Sequence, residues 1–168
     1  MQRYEPISRA HESQVDILHV GRNDEEGYFF YVMELADDAA EPSPASSVRS
    51  PKSGEAGHMP APVPAGSPAR INPDTYVPKT LKSVTQERGR LPFEECLRVG
   101  MALTTALEHL HQHGLSHRDI KPSNVIFVNG VPKLADIGLV AASDATRSFV
   151  GTEGYLPPEG SGSPQADL

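Results

Sequence analysis

The sequence predicts an α+β chain, on three observations. Two strand-like runs, Val15 to Gly21 and Tyr28 to Leu35, flank the polar turn Asn23-Asp24-Glu25-Glu26-Gly27. A long amphipathic run, Phe93 to His113, has the spacing of a helix. A second, shorter hairpin closes around Asn129-Gly130, a strong two-residue turn signal.

Taken in order, the first hairpin is justified by the aromatic and β-branched content of Tyr-Phe-Phe-Tyr-Val-Met on its second strand. From Asp37 to Pro78 the composition changes. Nine of the sixteen prolines fall there, among Ser, Ala and Gly, and no apolar periodicity survives. Such a segment buries too little to offset its ordering entropy, so a mobile loop is expected. It can also be read as a docking site for proline-reading modules. Ser43, Ser50 and Ser67 each precede a proline. Lys79 to Arg88 is expected as a short helix. In the long helix, Phe93, Leu97, Met101, Leu107 and Leu110 recur at mostly three- and four-residue spacing, and Val99, Leu103 and Ala106 widen the stripe. Glu94 and Glu95 suit its positive end, and Gly114 suits its C-terminal cap. Val125 to Val128 and Val131 to Ala135 form the second hairpin. After Ile137 the chain is expected to be loop-like.

The 168 residues bound the chain at one domain, with a modest hydrophobic fraction of 38%, 6% aromatics and no Trp. A net charge of −7 argues against non-specific nucleic-acid binding. The single cysteine, Cys96, permits no internal disulfide and fits a reducing, cytoplasmic setting. It is expected as a small core residue. No apolar run approaches a membrane span, and the N-terminus lacks a signal-peptide segment.

The chemistry concentrates in His117-Arg118-Asp119-Ile120-Lys121-Pro122-Ser123-Asn124. Asp119 can accept a proton from a hydroxyl nucleophile. Lys121 can neutralise charge on a moving phosphoryl group, and Asn124 can hold magnesium. Asp136-Ile137-Gly138 offers a second carboxylate for metal, and Gly151-Thr152-Glu153-Gly154-Tyr155-Leu156-Pro157-Pro158-Glu159 follows.

These three signatures, in this order, resemble the eukaryotic-type Ser/Thr protein kinase family, in its bacterial style. The resemblance implies a protein kinase-like fold, present incompletely: the end of the small lobe with the family's fourth and fifth strands, the hinge, and the first half of the large lobe through the activation segment. Residues 1–36 are then a remnant of the small lobe and hinge. Residues 37–78 are a disordered insertion. Residues 79–168 are the N-terminal half of the large lobe, ending at the start of its central helix. ATP and Mg2+ are the implied cofactors, and a protein Ser or Thr hydroxyl is the implied substrate. Oligomeric state is left open.

Residue by residue, Asp119 takes the role of base, Lys121 of charge stabiliser, and Thr152 steadies both. Asn124 and Asp136 become metal ligands. Met33 becomes the gatekeeper behind the adenine. The Glu34 carbonyl and Ala36 N–H would pair with the adenine edge. Ile126 lies under the ring, and Ala135 precedes the metal-binding Asp136. Arg118 would meet a phosphate on Thr146 or Ser148, though both can equally be ordinary loop hydroxyls. His117 is a packing residue, Glu159 carries the family's buried ion pair, and Asp167 braces the catalytic-loop backbone. Asp37-Asp38 falls near the ribose or substrate, or is a solvated loop start. His109 and His113 share a helix face as a potential chelate or as exposed histidines.

The sequence departs from the family in places. Ile137 stands for Phe and Pro157 for Ala. No Gly-x-Gly-x-x-Gly and no Val-Ala-x-Lys run occurs. The 168 residues alone are therefore expected to be inactive. A pseudokinase-like binding or scaffold module, or a truncated reading frame, is the alternative.

Overall fold

The computed structural model describes residues 4–40, 72–136, 141–142, 151–158 and 164–168, with backbone alone at 141–142. Thr146, Ser148, Glu159 and the interior of the proline-rich insertion lie outside the described residues.

The order of elements is α1 (Tyr4–Ser8), β1 (Ile17–Asn23), β2 (Tyr28–Met33), α2 (Leu81–Arg88), α3 (Phe93–Gln112), β3 (Leu115–Ser116), a 3-10 turn (Pro122–Asn124), β4 (Val125–Val128), β5 (Val131–Leu134), β6 (Ala141–Ala142) and a 3-10 turn (Pro164–Asp167). Among the described residues the strands make three antiparallel pairs: β1 with β2, β3 with β6, and β4 with β5. This is the expected mixed α and β content. The short helix α1 and the β3–β6 pair were not foreseen.

The polar turn at Asn23 closes β1–β2, its side chain accepting from the N–H groups of Glu25 and Glu26. Gly21 faces Phe30 across this pair, and a Cβ at Gly21 would stand 2.3 Å from the ring. Glycine is the residue that lets the ring lie there. Helix α2 starts at Thr80, whose hydroxyl accepts from Ser83 N while the Ser83 hydroxyl accepts from Thr80 N, a reciprocal cap.

The core sits where α1, the chain before β1, α3 and the β4–β5 hairpin meet. Val15, Ile17, Leu110 and Leu134 are fully buried there. Buried Gln14 ties these parts together. It donates to the Ala106 carbonyl of α3 at 2.8 Å and accepts from the Tyr4 hydroxyl at 2.7 Å, so its polar groups are matched.

The stripe expected on α3 divides. Val99, Ala106, Leu107 and Leu110 are buried, whereas Phe93, Leu97 and Met101 are exposed. The first three residues of the expected stripe occupy a different arc of the helix from those that reach the core. Cys96 is also exposed, contrary to expectation.

The two described ends of the insertion are paired. Ala39 N donates to the Val77 carbonyl, Lys79 N to Asp37, and Phe127 N to Lys79. The Asp37 carboxylate accepts from the N–H groups of Asn129 and Gly130 at 2.7 and 2.8 Å, capping the β4–β5 turn. Asp38 accepts from Ala40 N and Val77 N. Both carboxylates are thus occupied by backbone. Asp37→Ala strands the two turn N–H groups, of which Asn129 is exposed enough to rehydrate. The expected cost is about 1 kcal/mol, read as a lower urea midpoint.

Candidate functional site

The site is built on the loop between β3 and β4. Arg118 has φ 72 and Asp136 has φ 64, both in the left-handed region that side chains rarely adopt. Pro122 opens the 3-10 turn that carries Asn124. Asn124 N donates to the Lys121 carbonyl at 2.9 Å, and Ala135 N to the Asn124 carbonyl at 2.8 Å. The second bond ties Ala135, the residue before Asp136, to Asn124.

Three groups close a triangle on Asp119. Lys121 Nζ donates to Asp119 Oδ2 at 2.6 Å and to Thr152 Oγ1 at 2.7 Å. Thr152 Oγ1 donates to Asp119 Oδ1 at 2.7 Å. Asn124 Nδ2 adds bonds to the Asp119 carbonyl and to Oδ2, at 2.9 and 3.0 Å. Burial raises the Asp119 carboxyl, but the bonds from Lys121, Thr152 and Asn124 together outweigh it and hold it below its ordinary range. Asp119 is therefore ionised near neutrality and able to accept a proton. Gly151 brings Thr152 in: its φ is 136, and a Cβ there would stand 2.9 Å from the Arg118 carbonyl and 2.7 Å from Leu156.

Asp167 braces the loop from beneath. Its carboxylate accepts from His117 N and Arg118 N, both at 2.7 Å, and from His111 Nε2 at 3.0 Å. His111 was missed by sequence reasoning. Its signal was its place on the last turn of the long helix, six residues before His117.

His117 is fully buried. Nε2 donates to the Ala135 carbonyl at 3.0 Å, while Nδ1 accepts from Asp119 N at 3.4 Å, so the ring is neutral with its proton on Nε2. Burial pushes its pKa below the ordinary 6.5, against the bond to Ala135. The unfolded chain thus binds a proton that the folded one refuses. The stability that neutral His117 supplies is complete above about pH 6.5 and is lost as pH falls below it. A urea midpoint that drops from pH 7.5 to 5 is expected, with a flatter dependence in His117→Asn.

Of the groups expected around adenine, Ala36, Ile126 and Ala135 are buried in one apolar cluster. Met33 stands apart from them, 38% exposed. Among the described residues, the Glu34 carbonyl and the Ala36 N–H take no hydrogen bond. The Arg118 guanidinium is buried, and its Nε and one terminal nitrogen have no partner among the described residues. The His109 ring lies between two others, its centroid 4.6 Å from that of His113 and 5.2 Å from that of His11, both pairs tilted, and His109 Nε2 meets the Ile7 carbonyl at 2.9 Å. No group of three or more His, Cys, Asp or Glu among the described residues is placed to hold a metal ion. No helix among them is long and apolar enough to cross a membrane.

The protein kinase domain family matches residues 74–166. The chain belongs to the protein kinase family. It is 38% identical over 87 residues to a Clostridium perfringens protein named as a probable serine/threonine-protein kinase, covering 48% of this chain and 13% of that one. It is 36% identical over 90 residues to the serine/threonine-protein kinase AfsK of Streptomyces griseus, covering 50% of this chain and 11% of that one. A match to the 3-phosphoinositide-dependent protein kinase 1 of Arabidopsis thaliana reaches 38% over 87 residues, 43% of this chain and 18% of that one. The chain thus spans a small part of each relative.

Proposed function

We propose that these residues form the phosphoryl-acceptor half of a Ser/Thr protein kinase site. The observation that carries this is the closed Asp119–Lys121–Thr152–Asn124 network. Asp119 accepts the proton of a Ser or Thr hydroxyl on a protein substrate. Lys121, held by Asp119 and Thr152, presents a cation to the transferring group of ATP. The Asn124 amide nitrogen is spent on Asp119, which leaves Oδ1 with a single long contact from Ser123 at 3.4 Å. That oxygen and the Asp136 carboxylate form a hard donor set that would hold Mg2+, completed by phosphate oxygens. The metal's charge would neutralise the phosphates.

At the other end, the Glu34 carbonyl and Ala36 N–H receive the adenine edge, Met33 stands as gatekeeper, and Ile126 and Ala135 line the floor. Residues 1–36 correspond to the small lobe and hinge, 37–78 to an insertion and 79–168 to the large lobe. The buried Arg118 guanidinium, whose Nε and one terminal nitrogen have no partner among the described residues, suits a phosphate on Thr146 or Ser148. Glu159 keeps its place as an ion-pair residue.

The chain carries no glycine-rich phosphate loop, so the test is a transplant. Residues 115–158 replace the corresponding segment of the Clostridium perfringens relative. Phosphorylation of Ser/Thr peptides within about tenfold of the parent is expected. A chimera that folds and binds Mg·ATP but transfers nothing would favour a binding module instead.

A further inference from the structure

The end of β2 contains an exchange of acceptors. Asp16 and Glu34 face each other one step beyond the ladder pair Ile17–Met33. An antiparallel pair of this kind ordinarily swaps two N–H···O bonds between the same two residues. Only one is made: Glu34 N donates to the Asp16 carbonyl at 3.0 Å. The other donor, Asp16 N, goes to the carboxylate of Glu34, at Oε1, 2.8 Å away. The side chain has taken the bond that its own carbonyl would have accepted.

The carboxylate is held in that place. Lys133 Nζ lies 2.5 Å from the same Oε1, and both side chains are largely buried, 11% and 19% exposed. Lys133 belongs to β5, three residues before Asp136. The segment between them is continuous, because Val15 N donates to the Leu134 carbonyl and Leu134 N to Ser13. One ion pair therefore joins the chain after β2, the chain before β1 and the strand that leads to Asp136.

We propose that the Glu34 carboxylate, anchored by Lys133, is a positioning device that keeps the Glu34 carbonyl open for the 6-amino group of adenine. This rests on the hinge reading of Glu34 and Ala36 given above. Without the carboxylate, Asp16 N–H would be left seeking an acceptor, and the nearest one in ladder geometry is that carbonyl. Recruiting it would close the adenine site from within. Glu34 thereby acts twice, its backbone toward the base and its side chain away from it.

The test uses the full chain and two nucleosides, adenosine and purine riboside, which lacks the 6-amino group. Binding is followed through the amide signal of Ala36. The wild-type chain is expected to prefer adenosine by about five- to tenfold, the worth of one hydrogen bond to a group otherwise buried unmet. Glu34→Ala brings the ratio toward one. Glu34→Gln keeps an oxygen for Asp16 N and retains the preference. Lys133→Met, which removes the anchor but not the acceptor, lowers the ratio about two- to threefold and serves if Glu34→Ala does not fold. A wild-type ratio persisting in Glu34→Ala or Lys133→Met overturns the positioning role and leaves the hinge reading intact. A wild-type chain that does not distinguish the two nucleosides overturns the hinge reading itself, and this proposal with it.

Discussion

Asp167→Ala is expected to destabilise the chain by about 3–5 kcal/mol, enough to remove its cooperative urea transition at 25 °C. The reason is the number of donors that converge on one carboxylate. His117 N, Arg118 N and His111 Nε2 all bond to it, and its side chain is 1% exposed. Two of these donors are backbone groups of buried residues, so neither can turn to water. Alanine leaves all three unmet. Asp167→Asn is informative in a different way. Its amide puts a nitrogen donor where one of the donors needs an oxygen, so a large part of the loss should remain. His111→Ala removes only one bond, from a side chain that is 17% exposed, and is expected to cost about 1 kcal/mol. Circular dichroism across a urea series on the four proteins decides it. A wild-type midpoint in Asp167→Ala would mean that these bonds do not hold the loop.

This brace also marks what was readable in the sequence and what was not. Helix α3 followed from its periodicity, and β4–β5 from Asn129-Gly130, because both are local signals of chemistry and spacing. The chain belongs to the kinase family, as the resemblance carried by His117 to Asn124 implied. The pairing of Leu115–Ser116 with Ala141–Ala142 had no such signal, since two residues show no alternation and their partners lie far along the chain. The outward turn of Phe93, Leu97 and Met101 was hidden because spacing fixes a face but not which arc finds a neighbour. The Glu34 side chain and His111 were opaque for another reason. Each acts through a side-chain bond to a residue distant in sequence, Lys133 in one case and Asp167 in the other. Asp37 could be read as a ligand-facing acid or as a solvated loop start, and its two oxygens are instead spent on the turn at Asn129-Gly130.

Asp119→Asn in the transplanted kinase is expected to lower kcat by about 10²- to 10⁴-fold while leaving KM for ATP near the parent value. The asymmetry follows from position. Asp119 meets Lys121, Thr152 and Asn124, and in the proposed reaction it meets the acceptor hydroxyl, not the nucleotide. Asparagine preserves size and one oxygen, so the triangle can largely persist and the loss falls on proton acceptance. Lys121→Ala acts on the same step and should add little once Asp119 is gone, because groups working as a unit do not contribute additively. Asp136→Ala should instead raise the magnesium needed for half-maximal rate. The pH profile supplies an independent check. The carboxyl of Asp119 lies below its ordinary 3.8, so it stays ionised between about pH 5 and 8 and should contribute no acid limb in that range. An Asp119→Asn chimera within about threefold of the parent kcat would remove Asp119 from the chemistry. The network around it would then be an architectural clasp in a kinase-like shell.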